Sequence, residues 1–421
     1  MAHVADEEGL ADVAPRALWR NGEFLVLWSG QAVSTLGSTV STLALPLLVL
    51  ALTSSPAQVG FIAAAQAIPY LLLALPAGAL IDHWNRKALM IRCDVARFLA
   101  LGSVPLAAAV GHVTVAQLYL VALIAGTALV FFNIAQTAAL THVVPVAQLP
   151  RASALDQTVS STAALIGPGL AGAIVAFGST VAAGAALAFL VDSLSYLASV
   201  LSLLFIRIPF QQRHPATVGH SLRADIVEGL RFLWTHRRIR ALALVSIASV
   251  LVYGSLVLSL IVLAQKALHA DARLIGPIFS DTQRVPGGGA LLGSLLAPWI
   301  RARVAVGRIL VGVLTIMALA TALLAVAPSP ALAMVGWASI ALTGPIYSVT
   351  VLSYRLGLVP DALQGRVTSV FRLLNMAGQP LSLAVGGLLL AALGPRPVLW
   401  IMVAGGMLTA IVVSRTELCQ V

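Results

Sequence analysis

The 421-residue chain is poor in charge: Asp, Glu, Lys and Arg make up 10% of it, against roughly a quarter in ordinary soluble domains. The deficit is spread along the whole length, so a water-soluble fold of this size would lack the polar surface to cover itself. Lysine is nearly absent. Lys87 and Lys266 are the only two, and neither follows a glycine, which excludes the glycine-rich phosphate loop of an ATP-driven pump within this chain. The two cysteines, Cys93 and Cys419, are too few and too far apart for a disulfide framework or a metal site. No His is followed by Glu and no Ser sits within Gly-x-Ser-x-Gly, so the usual zinc-protease and hydrolase motifs are missing. A membrane-embedded enzyme without those motifs stays open as a minor reading, but nothing in the sequence draws a nucleophile and a base together. The N-terminus places Asp6, Glu7, Glu8 and Asp12 before Arg16 and Arg20 and lacks the basic start and cleavage site of a secretory signal. The first apolar run is expected to serve as an uncleaved signal.

What fills the chain instead is apolar: 59% of residues are hydrophobic and the mean hydropathy is +0.98. Runs long enough to cross a bilayer as helices lie near 24–50, 57–81, 88–110, 115–139, 153–177 and 181–206. Six more follow near 240–265, 275–300, 306–327, 331–353, 367–392 and 397–414. The expected fold is an all-α membrane protein of about twelve transmembrane helices in two pseudo-symmetric six-helix bundles. Its expected parts are a tail (1–23), a first bundle (24–207), a middle loop (208–238), a second bundle (239–414) and a short tail (415–421). The net charge of +10 and pI near 10.6 do not indicate nucleic acid, because the cations sit at the ends of apolar runs. Arg86, Lys87, Arg151, Arg301, Arg303, Arg308, Arg355 and Arg366 occupy one set of breaks, with Arg16, Arg20 and Arg415 at the termini; the other set holds Lys266, Arg273 and Arg396. That bias predicts cytoplasmic termini and a cytoplasmic middle loop.

The two halves repeat at one offset. Gly78 and Gly293, Arg86 and Arg301, Pro145 and Pro360, Arg151 and Arg366, and Gly172 and Gly387 are each 215 apart (293 − 78 = 301 − 86 = 360 − 145 = 366 − 151 = 387 − 172). Ungapped across the middle loop, these matches favour a duplicated six-helix unit. In the loop itself, Leu222, Ile226, Leu230 and Leu233 recur at helical spacing opposite Arg223, Glu228 and Arg231. This predicts a surface helix, with Trp234 as an interfacial anchor and Arg237, Arg238 and Arg240 drawn to anionic lipid.

GALIDHWNRK, from Gly78 to Lys87, follows the second run. Gly78 allows close helix approach, Asp82 can meet the positive end of a neighbouring helix, and Arg86 and Lys87 can pair with acids or lipid, an arrangement able to latch one conformation. An ordinary positively charged loop is the alternative. The segment resembles the Gly-x-x-x-Asp-Arg-x-Gly-Arg-Arg/Lys loop signature of the major facilitator superfamily, with His83 and Asn85 as departures. FFNIAQTAALTHVVP, LPRASALDQ with LIGPGLAG, EGLRFLW and VPDALQGRV resemble segments of its enterobactin-exporter and macrolide-efflux branch. Ile134 stands where those relatives usually carry a proline, and the fourth span has no arginine, so a proton relay placed there in many drug exporters does not carry over. The resemblance implies a secondary transporter that moves its cargo by alternating access.

Gly167, Pro168, Gly169 and Gly172 satisfy Gly-x-Gly-x-x-Gly, with Asp192 twenty residues on (192 − 172 = 20), the spacing of a dinucleotide fingerprint. That reading needs a strand before the glycines, whereas one apolar run spans them. A membrane helix bent at Pro168 with a small-residue face fits better, and Gly167, Pro168 and Gly172 resemble the antiporter signature of the fifth span.

Ionisable residues inside apolar runs are the main functional candidates, because burying charge in lipid is costly. Asp192 has no cation near it in sequence and is, with Asp281, the expected proton-coupling acid. Asp94 with Arg97 and Asp281 with Arg284 lie three apart on one helix face, while Asp156 and Arg372 lie a turn or two inside their spans. Each reads either as a neutralised structural pair or as part of the mechanism. Gln31, Gln66, Asn133, Gln136, Asn375 and Gln379 either line a central cavity or bridge helices. With so few fixed charges, such a cavity suits a hydrophobic or amphipathic solute: a drug, a macrolide or a siderophore-like natural product. The expectation is therefore a proton-coupled exporter in a bacterial plasma membrane, without cofactor, metal or ATPase subunit. A lysophospholipid flippase of the same superfamily is the alternative, and a non-transporting sensor or scaffold is a further one.

Overall fold

In a computed structural model, the described residues are 18–419 except 146–147, 209, 211–221, 267–288, 290–291 and 298. Among them there is no strand. The first half contains α1 (Gly22–Thr53), α2 (Pro56–His83), α3 (Arg86–Ala109), α4 (Val115–Val143), α5 (Leu149–Ala176) and α6 (Val181–Phe205). A surface helix α7 (Leu222–Thr235) leads to α8 (Arg237–Tyr253), α9 (Leu256–Lys266), α10 (Val306–Val326), α11 (Pro330–Leu358), α12 (Asp361–Leu393) and α13 (Pro395–Ser414). Residues 292–297 and 299–303 are also helical, and the rest of the expected span 275–300 lies largely outside the described residues.

The polar breaks in the sequence work as helix caps. Asn21, Asn85, Thr114 and Thr180 each accept a hydrogen bond through the side chain from a backbone N–H three residues on, at 3.0 to 3.2 Å. Ser55 does the same for Gln58, with Pro56 in the first turn of α2. Gly394, at φ 80° and ψ 176°, takes a positive-φ conformation open to glycine, which ends α12 and starts α13 with no intervening loop.

The 215-residue register extends to the helix bounds. α4 and α11 correspond at both ends (330 − 115 = 358 − 143 = 215), and α1 and α8 start in register (237 − 22 = 215). The expected seventh span departs from this pattern. Hydropathy predicts one span over 240–265, and Arg237–Ala264 forms it, but its helix is interrupted between α8 and α9 at Gly254 and Ser255. Two carbonyls at the break find donors on α12: Gln379 Nε2 reaches Gly254 O at 3.1 Å, and Ser382 Oγ reaches Leu251 O at 2.9 Å. Lost helical bonds are thus replaced from a neighbour, as hydrocarbon requires. The eleventh span also starts earlier than expected, at Asp361, so VPDALQGRV is mostly helix.

Nine described spans, with α8 and α9 counted together as Arg237–Ala264, are long and apolar enough to cross a membrane. Large apolar side chains such as Leu106, Phe177, Phe205 and Leu408 stand exposed on the flanks, where they meet lipid. Among the described residues, the apolar packing shared by the two bundles lies at one end. At the end remote from the termini, one apolar cluster draws Leu47, Ile62 and Val104 together with Leu260, Leu324 and Leu399. Toward the termini the clusters stay within one half: one around Phe24, Met90 and Phe132 in the first, and one around Leu242, Leu310 and Phe371 with a smaller one around Ala297 and Ile309 in the second. The main packing between the halves, among the described residues, is α2 against α12. Small residues permit it: a methyl group on Gly387 would stand 2.7 Å from the Pro56 carbonyl oxygen. Lipid tails are as apolar as the helices, so this closeness, rather than hydrophobic burial, holds the halves together.

α7 forms where the amphipathic pattern predicted a helix and lies against α8 and α12. Leu233 is buried beneath it, and Trp234 is exposed at its end.

Candidate functional site

Each half walls a cavity that lies on the side toward the termini. The first, of about 470 Å³, is bounded by α1, α3, α4 and α5; the second, of about 560 Å³, by α8, α10, α11 and α12. They are copies of one another. Gln31, Ser34, Thr35 and Ser38 line the first, and the residues 215 further on, Ser246, Ser249, Val250 and Tyr253, line the second. On α4 and α11 the same shift relates Leu129, Phe132, Asn133, Gln136, Thr137 and Leu140 to Gly344, Tyr347, Ser348, Val351, Leu352 and Arg355. Asp156 and Ser160 correspond in the same way to Phe371 and Asn375. The walls are mainly apolar by area, interrupted by hydroxyls and amides and by Arg97 and Asp156 in the first cavity and Arg355 in the second.

The charges are unequally shared. Behind the first cavity, Asp94 and Arg97 lie one turn apart on α3, buried, with Nη1 to Oδ1 at 3.6 Å. The Arg97 guanidinium lies over two aromatic rings, Phe132 at 5.2 Å and Tyr196 at 5.1 Å from the centroids. Ser199 donates to Asp94 Oδ2 at 2.7 Å and accepts from Gln31 Nε2 at 3.1 Å, so the acid is tied to α6 and to the cavity wall. Asp192, also buried, accepts hydrogen bonds from Ser41 of α1 and from Ser195, the latter at 3.3 Å. Sequence left Asp192 unpartnered; helix packing supplies it with two hydroxyls and with the field of Arg97. The equivalent positions in the second half are Ile309, Gly312 and Met407 (309 − 94 = 312 − 97 = 407 − 192 = 215), so this network occurs once.

Trp28 Nε1 and Arg97 Nη2, both at the first cavity, are buried without a hydrogen-bond partner among the described residues, as is Tyr253 Oη at the second. Donors left free in a wall are available to a polar group on a bound molecule. No group of three or more His, Cys, Asp or Glu able to hold a metal occurs among the described residues.

Gln31, Asn133, Gln136, Asn375 and Gln379 line the cavities. Gln66 does not: it is exposed on α2. Asp156 lines the first cavity. Gly167 packs against Thr39 of α1, and α5 is unbroken through Gly172, which leaves no strand for a dinucleotide fingerprint. Arg86 and Lys87 both reach backbone carbonyls. Arg86 Nη1 reaches Ala138 O at 3.4 Å and Phe210 O at 3.3 Å, and Lys87 Nζ reaches Ile206 O at 2.6 Å, at the carbonyl end of α6. Gly78, Asp82, Pro168 and Arg372 belong to α2, α5 and α12, but their side chains lie outside the described residues, and Asp281 and Arg284 lie outside them altogether.

Sequence reading missed the serines. Ser34, Ser38 and Ser41 on α1 and Ser195, Ser199 and Ser202 on α6 recur every three or four residues, a polar stripe that marks two facing helices.

A family model described as a transmembrane secretion effector matches residues 13–420. The multidrug efflux pump Tap of Mycolicibacterium fortuitum is 25% identical over 395 residues, covering 89% of this chain and 91% of that protein. Macrolide efflux protein A of Streptococcus pyogenes is 23% identical over 231 residues, 55% of this chain and 56% of its own length. Among solved structures, a bacterial homologue of the human lysosomal transporter Spinster, inward-facing and occupied, superposes with a TM-score of 0.74 at 15% identity over 96% of this chain and 98% of that one.

Proposed function

Because the chain belongs to the transmembrane secretion effector family of the major facilitator superfamily, we propose that it exports a hydrophobic or amphipathic small molecule in exchange for protons, by alternating access. The observation that carries this reading is the duplicated cavity: two mainly apolar walls, one from each half, with a buried Asp94, Arg97 and Asp192 network behind only one of them. Apolar walls with scattered hydroxyls and amides suit an amphipathic solute and select weakly among such solutes. The halves join at the end away from the termini, so the described conformation is open toward the termini, which the positive-inside bias assigns to the cytoplasm.

In this reading cargo enters between the walls from the cytoplasmic end, and rocking about the α2 and α12 contact exposes it on the other side. Protonation of Asp192 removes a charge from the α1 and α6 seam and so favours one of the two arrangements. Gly167 lets α5 move with α1. Asp82, with Arg86 and Lys87 holding α3 to the end of α6, forms the latch. Asp82→Asn should slow cycling and leave cargo binding intact.

The test is transport by the full chain in proteoliposomes loaded with a fluorescent macrolide, with and without an imposed pH gradient. Gradient-driven movement supports the exporter. Movement of lysophospholipid alone, indifferent to the gradient, would replace it with the flippase.

A further inference from the structure

Away from the central cavities, a groove of about 590 Å³ opens on the flank of the second bundle, between the first turns of α8 and the last turns of α13. One end carries Arg237, Arg240 and Arg415 with Glu417, and the rest is apolar apart from Thr409 and Thr416. Leu244, Leu408 and Val412 on its walls are 53%, 63% and 52% exposed.

The groove follows from residue size. In the first bundle, Gly30 and Gly37 bring α1 so close to α6 that a Cβ on either would collide with Ser202 or Ser195. The positions 215 further on are Val245 and Val252 (245 − 30 = 252 − 37 = 215). Close approach of α13 to α8 is recovered only further along, where Gly405 and Gly406 meet Val252 and Tyr253. The two helices therefore splay toward the termini and leave a wedge.

The dimensions and charge of the wedge match one kind of occupant. From Arg237 to Ala248 is 11 residues (248 − 237 = 11), about 16 Å at 1.5 Å per residue. That equals one leaflet, half of a hydrocarbon core about 30 Å thick. Three guanidinium groups face one carboxylate. Arg237 meets Glu417 at 3.3 Å while staying 76% exposed, and Arg240 is steadied by the Trp234 carbonyl at 3.0 Å. His236 gives no side-chain cap, so the N–H groups of the first turn of α8 add positive potential.

We infer that this groove holds one anionic phospholipid of the surrounding leaflet, its phosphate on Arg237 and Arg415 and an acyl chain along Leu244, Leu408 and Val412. A zwitterionic headgroup brings its own cation against the arginines and gains less. The site is separate from the transport path: Ser246, Ser249 and Tyr253, which line the central cavity, lie on a different face of α8 from Ala241, Leu244 and Ala248. The lipid supplies the packing that Val245 denies to α8 and α13.

The experiment is native mass spectrometry of the full-length protein in detergent with phosphatidylglycerol or phosphatidylcholine of identical chains. The expected result is at least a tenfold preference for phosphatidylglycerol, lost in Arg237→Gln/Arg415→Gln. Leu408→Trp, which keeps the charges and fills the apolar wall, should lose it too and decides the matter should the double variant not fold. Equal binding of the two lipids, or full retention by Leu408→Trp, overturns the inference. So does displacement of the lipid by inorganic phosphate at equal concentration, which would identify the arginines as a site for soluble phosphate.

Discussion

Ser41 of α1 donates a hydrogen bond to the carboxylate of Asp192 on α6, joining residues 151 apart in the chain within the buried seam of the first bundle. Tyr196, one turn further along α6, bonds Ser38 at 2.8 Å on the same face. A change of charge at Asp192 therefore acts directly on the contact between a cavity-lining helix and its neighbour.

Asp192→Asn keeps an oxygen for the Ser41 hydroxyl and removes the titrating group. The expected outcome is normal folding, with stability within about 1 kcal/mol of the parent, and loss of transport coupled to a pH gradient. Flux assays across external pH values check it. Unchanged pH dependence would take Asp192 out of the coupling role.

Arg97→Met leaves Asp94 buried without its cation, which should cost about 3–5 kcal/mol. Adding Asp94→Asn to the same chain should recover most of that loss, because the burial penalty falls on the unpaired charge. Chemical unfolding in detergent of the single variants and the double variant measures the coupling. Additive losses would show that the two residues do not form an energetic pair.

Gly387→Val places a side chain against the Pro56 carbonyl, where even a methyl group would stand 2.7 Å away. The closed end should be forced apart. Spin labels at Leu52 and Leu393, both exposed at that end, should report a longer and broader distance, and transport should fall at least tenfold. An unchanged distance would mean that α2 and α12 are not the closing contact.

Ser382→Ala removes the donor to the Leu251 carbonyl beside the α8 and α9 break, at a cost of about 1 kcal/mol. Amide exchange over residues 251–256 should rise several-fold while the rest of α8 is unaffected. Uniform acceleration along α8 would indicate that the break is not held locally by α12.

The helix pattern was legible because bilayer thickness sets the length of an apolar run and because each polar break doubles as a cap. Thr114 and Thr180 are loop residues by composition and N-caps by position. The break at Gly254 was hidden, since its satisfying groups, Gln379 and Ser382, lie on another helix. Asp94 and Arg97 could be paired by their spacing, but no spacing links Arg97 to Phe132 and Tyr196, or Gln31 to Ser199. Gln66 looked equivalent to Gln31 and points elsewhere, because hydropathy gives depth in the membrane and not direction around a helix axis.

The sequence by itself determined that this is a duplicated bundle of membrane helices, through the cost of exposing polar groups to hydrocarbon and through landmarks repeated 215 residues apart. Only the tertiary structure decided at which end the described helices of the two halves pack together, that the two cavities are copies of each other, and that the Asp94, Arg97 and Asp192 network lies behind one of them. Contacts between helices in lipid depend on glycine-sized gaps and hydrogen bonds between distant residues, and such pairings exist only once the helices have been brought together.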